Sequence, residues 1–146
     1  MKLAENKKIY HDYEISNTLE AGLVLSGPEV KSAKLGQIDL KGAYVEIDQN
    51  MESWLINSYI APYKPAKTSQ KNYKPHAPRK LLLKKKELRS LLGKQKEKGT
   101  SIVPLEIFLK KRLVKIKIGI GRCKKKHDKR ETIKKRDFEK RKKKIM

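Results

Sequence analysis

The sequence predicts a mainly β protein: a small antiparallel β-barrel of the OB type, with one short and one longer α-helix and a basic C-terminal tail. Three observations predict it. Apolar residues alternate with polar ones in several short segments separated by turn chemistry, which is the pattern of antiparallel strands with one buried face. The helical segments are interspersed among the strands without a βαβ alternation, so a parallel sheet is not expected. Finally, all periodicity stops at Arg122, and the remaining residues are overwhelmingly charged.

Residues 1–9 are polar and are expected to fray, which places the barrel at 10–121 and the tail at 122–146. "DYEISNTLEAGLVLSG" reads as a strand running toward Gly27, with Leu23 and Leu25 as its apolar end. In "PEVKSAKLG", Ser26 is a candidate cap and Pro28 suits a first turn. Glu29 favours the positive helix end, and Gly36 stops a short helix. In "AYVEIDQNMESWLIN", Ala43, Val45 and Ile47 alternate with Tyr44, Glu46 and Asp48, and Trp54 and Ile56 share a face of the return strand. This predicts a hairpin turning near Gln49–Asn50. Residues 61–78 hold four of the six prolines and read as a long irregular loop.

"RKLLLKKKELRSLLGKQKEKG" reads as the longer helix, with Leu88, Leu91 and Leu92 at i, i+3, i+4 and Gly99 at its stop. The clearest alternation follows. In "SIVPLEIFL", Val103, Leu105, Ile107 and Leu109 point inward. In "VKIKIGI", Val114, Ile116, Ile118 and Ile120 oppose Lys115 and Lys117, and "KKR" makes the turn between the two strands. The whole gives about six strands, one domain and no internal repeat.

Charge narrows the function classes. The chain of 146 residues carries a net charge of +22, beyond what solubility requires, so an anionic partner is expected. Residues 110–146 hold 19 Lys/Arg against 4 Asp/Glu, and so contribute most of it. From Arg122 onward the apolar side chains are only Cys123, Ile133, Phe138, Ile145 and Met146. That is too little burial to offset ordering entropy of ~1–2 kcal/mol per residue, so the tail is expected to be disordered when free. It contains good helix formers, with Glu131–Lys135 and Asp137–Arg141 at favourable i, i+4 spacing. A helix induced along a phosphate-lined channel is therefore the expected bound form.

A single cysteine fits a reducing compartment, and no metal-ligand spacing or Gly-rich phosphate loop occurs. No run approaches the ~20 apolar residues of a spanning helix, so a cytoplasmic protein off the membrane is expected. Glu20 and Glu29 read as surface or capping glutamates rather than an acid–base pair, and no cofactor or enzyme activity is expected. The basic clusters at Lys31 and Lys34, Arg79 and Lys80, Lys84–Lys86, and Lys115 and Lys117 form a common electrostatic footprint. Tyr10, Tyr13, Tyr44, Tyr63 and Tyr73 are interleaved with them and are candidates for stacking on bases.

Four stretches, "TLEAGLVLSGPEVKSAKLG", "APRKLLLKKKEL", "EKGTSIVPLEIF" and "KKHDKRETIKKRD", occur in an order and at spacings that resemble the SmpB (small protein B) family. The resemblance runs from about Asn6 to the C-terminus. It implies an OB-type barrel that binds the tRNA-like part of transfer-messenger RNA and delivers it to stalled ribosomes in trans-translation. The tail would then fold in the empty decoding centre and message channel, and the chemistry would belong to RNA and ribosome. A monomer is expected. The residues it implies for RNA binding are Asn6, Tyr13, Glu20, Lys31, Lys34, Arg79, Lys80 and Lys115. For the decoding-centre tail they are Lys124, Lys125, His127, Asp128, Lys129 and Arg130, with Ile145 and Met146 as an apolar end.

Two departures from the family pattern stand out. Cys123 occupies the position of a family glycine, so any hinge would move to Gly119 or Gly121 or not depend on glycine. Lys34 stands where arginine is usual and forgoes a bidentate fork. On composition alone, a structural ribosomal protein with a barrel and a basic tail is the alternative. A barrel-based RNA-modifying enzyme is a second, and the sequence offers no constellation for it.

Overall fold

The structure is a computed structural model and describes residues 1–64 and 72–124. It is mainly β, as expected, with nine strands and three helices among the described residues. Residues 1–9, expected to fray, contain regular secondary structure. Lys2–Glu5 form β1, which pairs antiparallel with β8 (Thr100–Lys110). Ile9–Asp12 form the single-turn α1. The physical reason lies in Leu3 and Ile9, which are buried, and in the β8 edge that would otherwise go unpaired.

β2 (Tyr13–Leu23) follows, and then α2 (Gly27–Lys34). Ser26 caps α2 as expected. Glu29 N–H donates to Ser26 Oγ at 3.3 Å and Ser26 N–H to Glu29 Oε1 at 3.0 Å, a complete capping box. Gly36, at φ 77°, ends the helix in the left-handed region. A small second sheet joins β3 (Ile38–Asp39) to β6 (Tyr59–Ile60). The expected hairpin is β4 (Tyr44–Ile47) and β5 (Ser53–Ile56). Its turn is organised by Asp48, whose Oδ1 accepts from the N–H groups of Asn50 and Glu52 and whose Oδ2 accepts from Trp54 Nε1 at 2.8 Å.

The start of the predicted longer helix is corrected. Arg79–Leu82 form a strand, β7, and the helix α3 spans only Lys85–Lys96. In "RKLL" the burial alternates, Arg79 and Leu81 inward and Lys80 and Leu82 outward, a period of two that competes with the helical spacing further on. β9 (Leu113–Cys123) is the last strand among the described residues.

The large sheet runs β1-β8-β4-β5-β7-β2-β9, and β9 pairs back with β8, so six strands close on themselves. Leu55, Leu81, Ile102, Ile107, Ile116 and Ile118 fill the interior, and Leu88 and Leu91 of α3 seal it. One expectation for β8 fails. Ile107 and Leu109 do face the core, but Val103 and Leu105 pack in a separate cluster with Ile9, Tyr13 and Ile15. Two bulges cause this. The register against β9 slips between Pro104 and Glu106, and in β2 between Ile15 and Asn17. Each extra residue swaps the faces, turning Tyr13, Ile15, Val103 and Leu105 to the outside, where α1 covers them.

Candidate nucleic-acid interface

The outer face of β2, β9 and β8 is the one broad surface on which several sequence-predicted residues meet. With Ile116 and Ile118 committed to the core, Lys115 and Lys117 must face out. Strand register sets Glu20 opposite Lys117 and Gly22 opposite Lys115 on one side, and Glu106 and Phe108 on the other. Glu20 is exposed and lies 3.9 Å from Lys110 Nζ, so this carboxylate tempers a basic surface rather than forming a tight pair. Next to Gly22 stands Leu82, 57% exposed, and a Cβ on Gly22 would sit 3.2 Å from Leu82 Cβ. Sequence reasoning missed Leu82, because the helical reading of "RKLLL" assigned it no outward face. Lys80 also faces out, across from Trp54, and is ion-paired to Glu52 at 3.6 Å.

Tyr13 lies on the same three strands but at the other end. Seven residues separate it from Glu20, or about 20 Å of strand. Its ring packs over β9, where Gly121 leaves room: a Cβ there would come within 3.1 Å of Tyr13 Cβ and Ile15 Cδ1. Gly119 is tighter still, 2.9 Å from Ile15 Cγ2. Both glycines are therefore strand residues that permit close packing, and neither has the positive φ that a glycine-dependent turn would need. Cys123 also sits in β9, paired with Tyr13, and needs no positive φ. A cleft of about 400 Å³ opens beside Tyr13, lined by Lys8, Asp12, Lys41, Tyr44 and Ser101 among others. The chain leaves the barrel at this end, where Lys124 N–H donates to the Asp12 carbonyl at 3.2 Å.

Lys31 and Lys34 are exposed on α2, and Lys31 Nζ stands 5.6 Å from the centre of the Tyr63 ring. Two other residues implied by the resemblance are removed from the surface. Asn6 is buried where β1 meets α1, with Nδ2 donating to the Pro104 carbonyl at 3.1 Å and the Leu40 carbonyl at 3.5 Å. It ties the N-terminal strand to β8.

Arg79 is only 3% exposed. Its Nε and Nη2 donate to Glu29 Oε2 at 3.0 and 2.8 Å, Nη1 donates to the Ser58 carbonyl and hydroxyl, and Nη2 also donates to the Tyr73 hydroxyl. Burial disfavours the Glu29 carboxylate, but the Ser26 N–H, the Arg79 guanidinium and the Tyr73 hydroxyl outweigh it and hold its pKa below the ordinary value. Burial, with the Glu29 charge beside it, pushes the Tyr73 hydroxyl up to about 12. Tyr73 is half-buried, and its hydroxyl belongs to this internal network. The tail positions Lys125, His127, Asp128, Lys129, Arg130, Ile145 and Met146 lie outside the described residues.

The SmpB protein family model matches residues 3–146, nearly the whole chain. The chain belongs to the SmpB family. Among similar SmpB-family proteins, the SsrA-binding protein of Persephonella marina is 48% identical over 136 residues, covering 93% of this chain and 88% of the relative. That of Carboxydothermus hydrogenoformans is 45% identical, with 92% and 89% covered. A solved structure, "tmRNA-SmpB: a journey to the center of the bacterial ribosome", contains a chain 43% identical to this one. It superposes with a TM-score of 0.70 over 89% of this chain and 93% of its own length. An SmpB-like barrel is therefore the established frame for the outer face just described.

Proposed function

We propose that this chain binds transfer-messenger RNA through its barrel and brings it to stalled ribosomes, where the basic tail takes the place of codon–anticodon pairing. The observation that carries this reading is the family match over residues 3–146, with relatives whose names state SsrA binding and a structural neighbour described on the bacterial ribosome. The barrel supports it physically. Glu20, Lys115 and Leu82 offer a carboxylate acceptor, a cation and an apolar contact on one rigid surface, a set suited to an irregular RNA fold.

The RNA-binding side chains are Tyr13, Glu20, Lys31, Lys34, Lys80 and Lys115, while Asn6 and Arg79 act by holding the scaffold. The tail acts on the ribosome through Lys124, Lys125, His127, Asp128, Lys129 and Arg130, with Ile145 and Met146 at its end. We place the start of the tail after Lys124 rather than at Arg122, since β9 continues to Cys123.

The test compares the full chain with residues 1–124 for binding to the tRNA-like domain of transfer-messenger RNA, across a salt series, against an unrelated structured RNA of equal size. Both forms should select the tRNA-like domain, the full chain should show the steeper salt slope, and only the full chain should support tagging. Loss of selectivity on truncation overturns the division of labour.

A further inference from the structure

The turn between β8 and β9 is built from residues that its geometry disfavours. Lys111 and Arg112 have φ of 49° and 68°, so both central residues of a two-residue hairpin loop lie in the left-handed region. That is the signature of a type I′ turn, whose usual occupants are Asn-Gly or a similar pair, because a side chain at each position is strained. The ladder does not relax to relieve it, since Lys110 pairs with Leu113 immediately behind the tip. The tip also projects. β2 last pairs with β9 at Lys115, and on the β8 side Met1 bonds Leu109 through its amino group and carbonyl, so the Lys110–Leu113 rung and the two turn residues extend past the neighbouring strands.

Three cations in a row, Lys110, Lys111 and Arg112, are exposed there, followed by Leu113 at 59% exposure. Lys110 has the distant Glu20 as its only ion-pair partner among the described residues, and Lys111 and Arg112 have none. The type I′ backbone suits the twist of the two strands, but it is better served by Asn-Gly than by Lys-Arg, so two unpaired cations held at this tip at a conformational cost point to an external ligand.

We propose that this hairpin tip is a separate phosphate-binding prong that grips the backbone of the RNA held on the outer face. Three residues separate Arg112 from Lys115, about 10 Å of strand, so the prong reaches phosphates flanking those nearest Glu20 and Lys115 without adding base readout. The inference rests on the proposed RNA-binding function and extends its footprint.

The variant K111N/R112G installs the sequence that the turn prefers, so its effects on stability and binding should run in opposite directions. Its melting temperature should rise. Its affinity for the tRNA-like domain should fall about 20-fold at 0.15 M salt, with the salt slope reduced by about 1.6, the loss expected from two released phosphate contacts. A second variant, K111Q/R112Q, removes the charge while keeping an unbranched polar side chain at each position, and should lose the same affinity without the gain in stability. Unchanged affinity and slope in both variants, while the parent chain binds selectively, overturn the prong alone. A parent chain that fails to select this RNA overturns the underlying function instead.

Discussion

Arg79→Ala should unfold the protein at moderate temperature, and the size of the effect follows from what the guanidinium leaves behind. Five polar contacts vanish together, to Glu29, Ser58 and Tyr73, in a region where Arg79 is almost inaccessible. The Glu29 carboxylate then stays largely buried with the Ser26 N–H and the Tyr73 hydroxyl as its remaining partners. Removing one member of a buried ion pair costs ~3–5 kcal/mol, which lowers the melting temperature of a domain this size by roughly 10–25 °C. The pH dependence is diagnostic. In the parent, the depressed Glu29 pKa contributes stability that is present above the ordinary carboxylate value and lost as pH falls through the folded one. In the variant, burial without the arginine raises that pKa, so acid neutralises a stranded charge. The gap between the two proteins should therefore be wide at pH 7 and narrow toward pH 3, read by urea unfolding at each pH. R79M/E29Q should recover much of the loss. A gap under about 1 kcal/mol, or one that does not change with pH, would refute the buried-network account and return Arg79 to the surface.

Other outcomes follow from local geometry. Gln95 uses its side-chain amide as a strand partner for Ile47, accepting from its N–H at 2.8 Å and donating to its carbonyl at 3.2 Å. Gln95→Ala should cost ~1–3 kcal/mol in denaturant unfolding while leaving RNA affinity unchanged, and an unaltered midpoint would contradict it. Gly119→Ala forces a Cβ against Ile15 and Leu105 and should destabilise by ~1–3 kcal/mol, measurable as a lower melting temperature. Lys115→Ala should weaken binding to the tRNA-like domain and flatten its salt dependence by about one phosphate, with no change in melting temperature. The Asp48 pKa is held down, chiefly by the Glu52 N–H and by the Trp54 indole. Trp54 emission should therefore keep its native value as pH falls past the ordinary carboxylate range and change only below it, whereas in Asp48→Asn it should be insensitive to that titration.

The elements legible in the sequence were those with one unbroken period. β9 was, because four β-branched residues alternate with lysines and glycines, and α2 was, because its cap, proline and terminal glycine all agree. The bulges were not. Ser16 and Leu105 look like ordinary strand residues, and only pairing with a distant strand shows that they shift the faces, which is why Val103 and Leu105 were assigned to the wrong side. β1 was missed for a related reason: its polarity is that of an edge, and its partner lies about a hundred residues away. At the candidate site, the outward placement of Lys115 was legible from the strand alternation. The burial of Arg79 and Asn6 was not, because a motif records that a residue is needed without recording whether it faces solvent or core.

The closure of the barrel also constrains how it can be made. β9 pairs with both β2 and β8, and it is the last of the described strands to be synthesised. Until Cys123 has been added, β2 lacks a partner along most of its length, and β1 waits about a hundred residues for β8. At ~5–20 residues per second that delay is ~5–20 s, long compared with the microseconds a hairpin needs to form. During synthesis the nascent chain therefore holds β2 with pairing to β7 only at Gly22 and Leu23, and it can become a barrel only once the residues just ahead of the basic tail have been made.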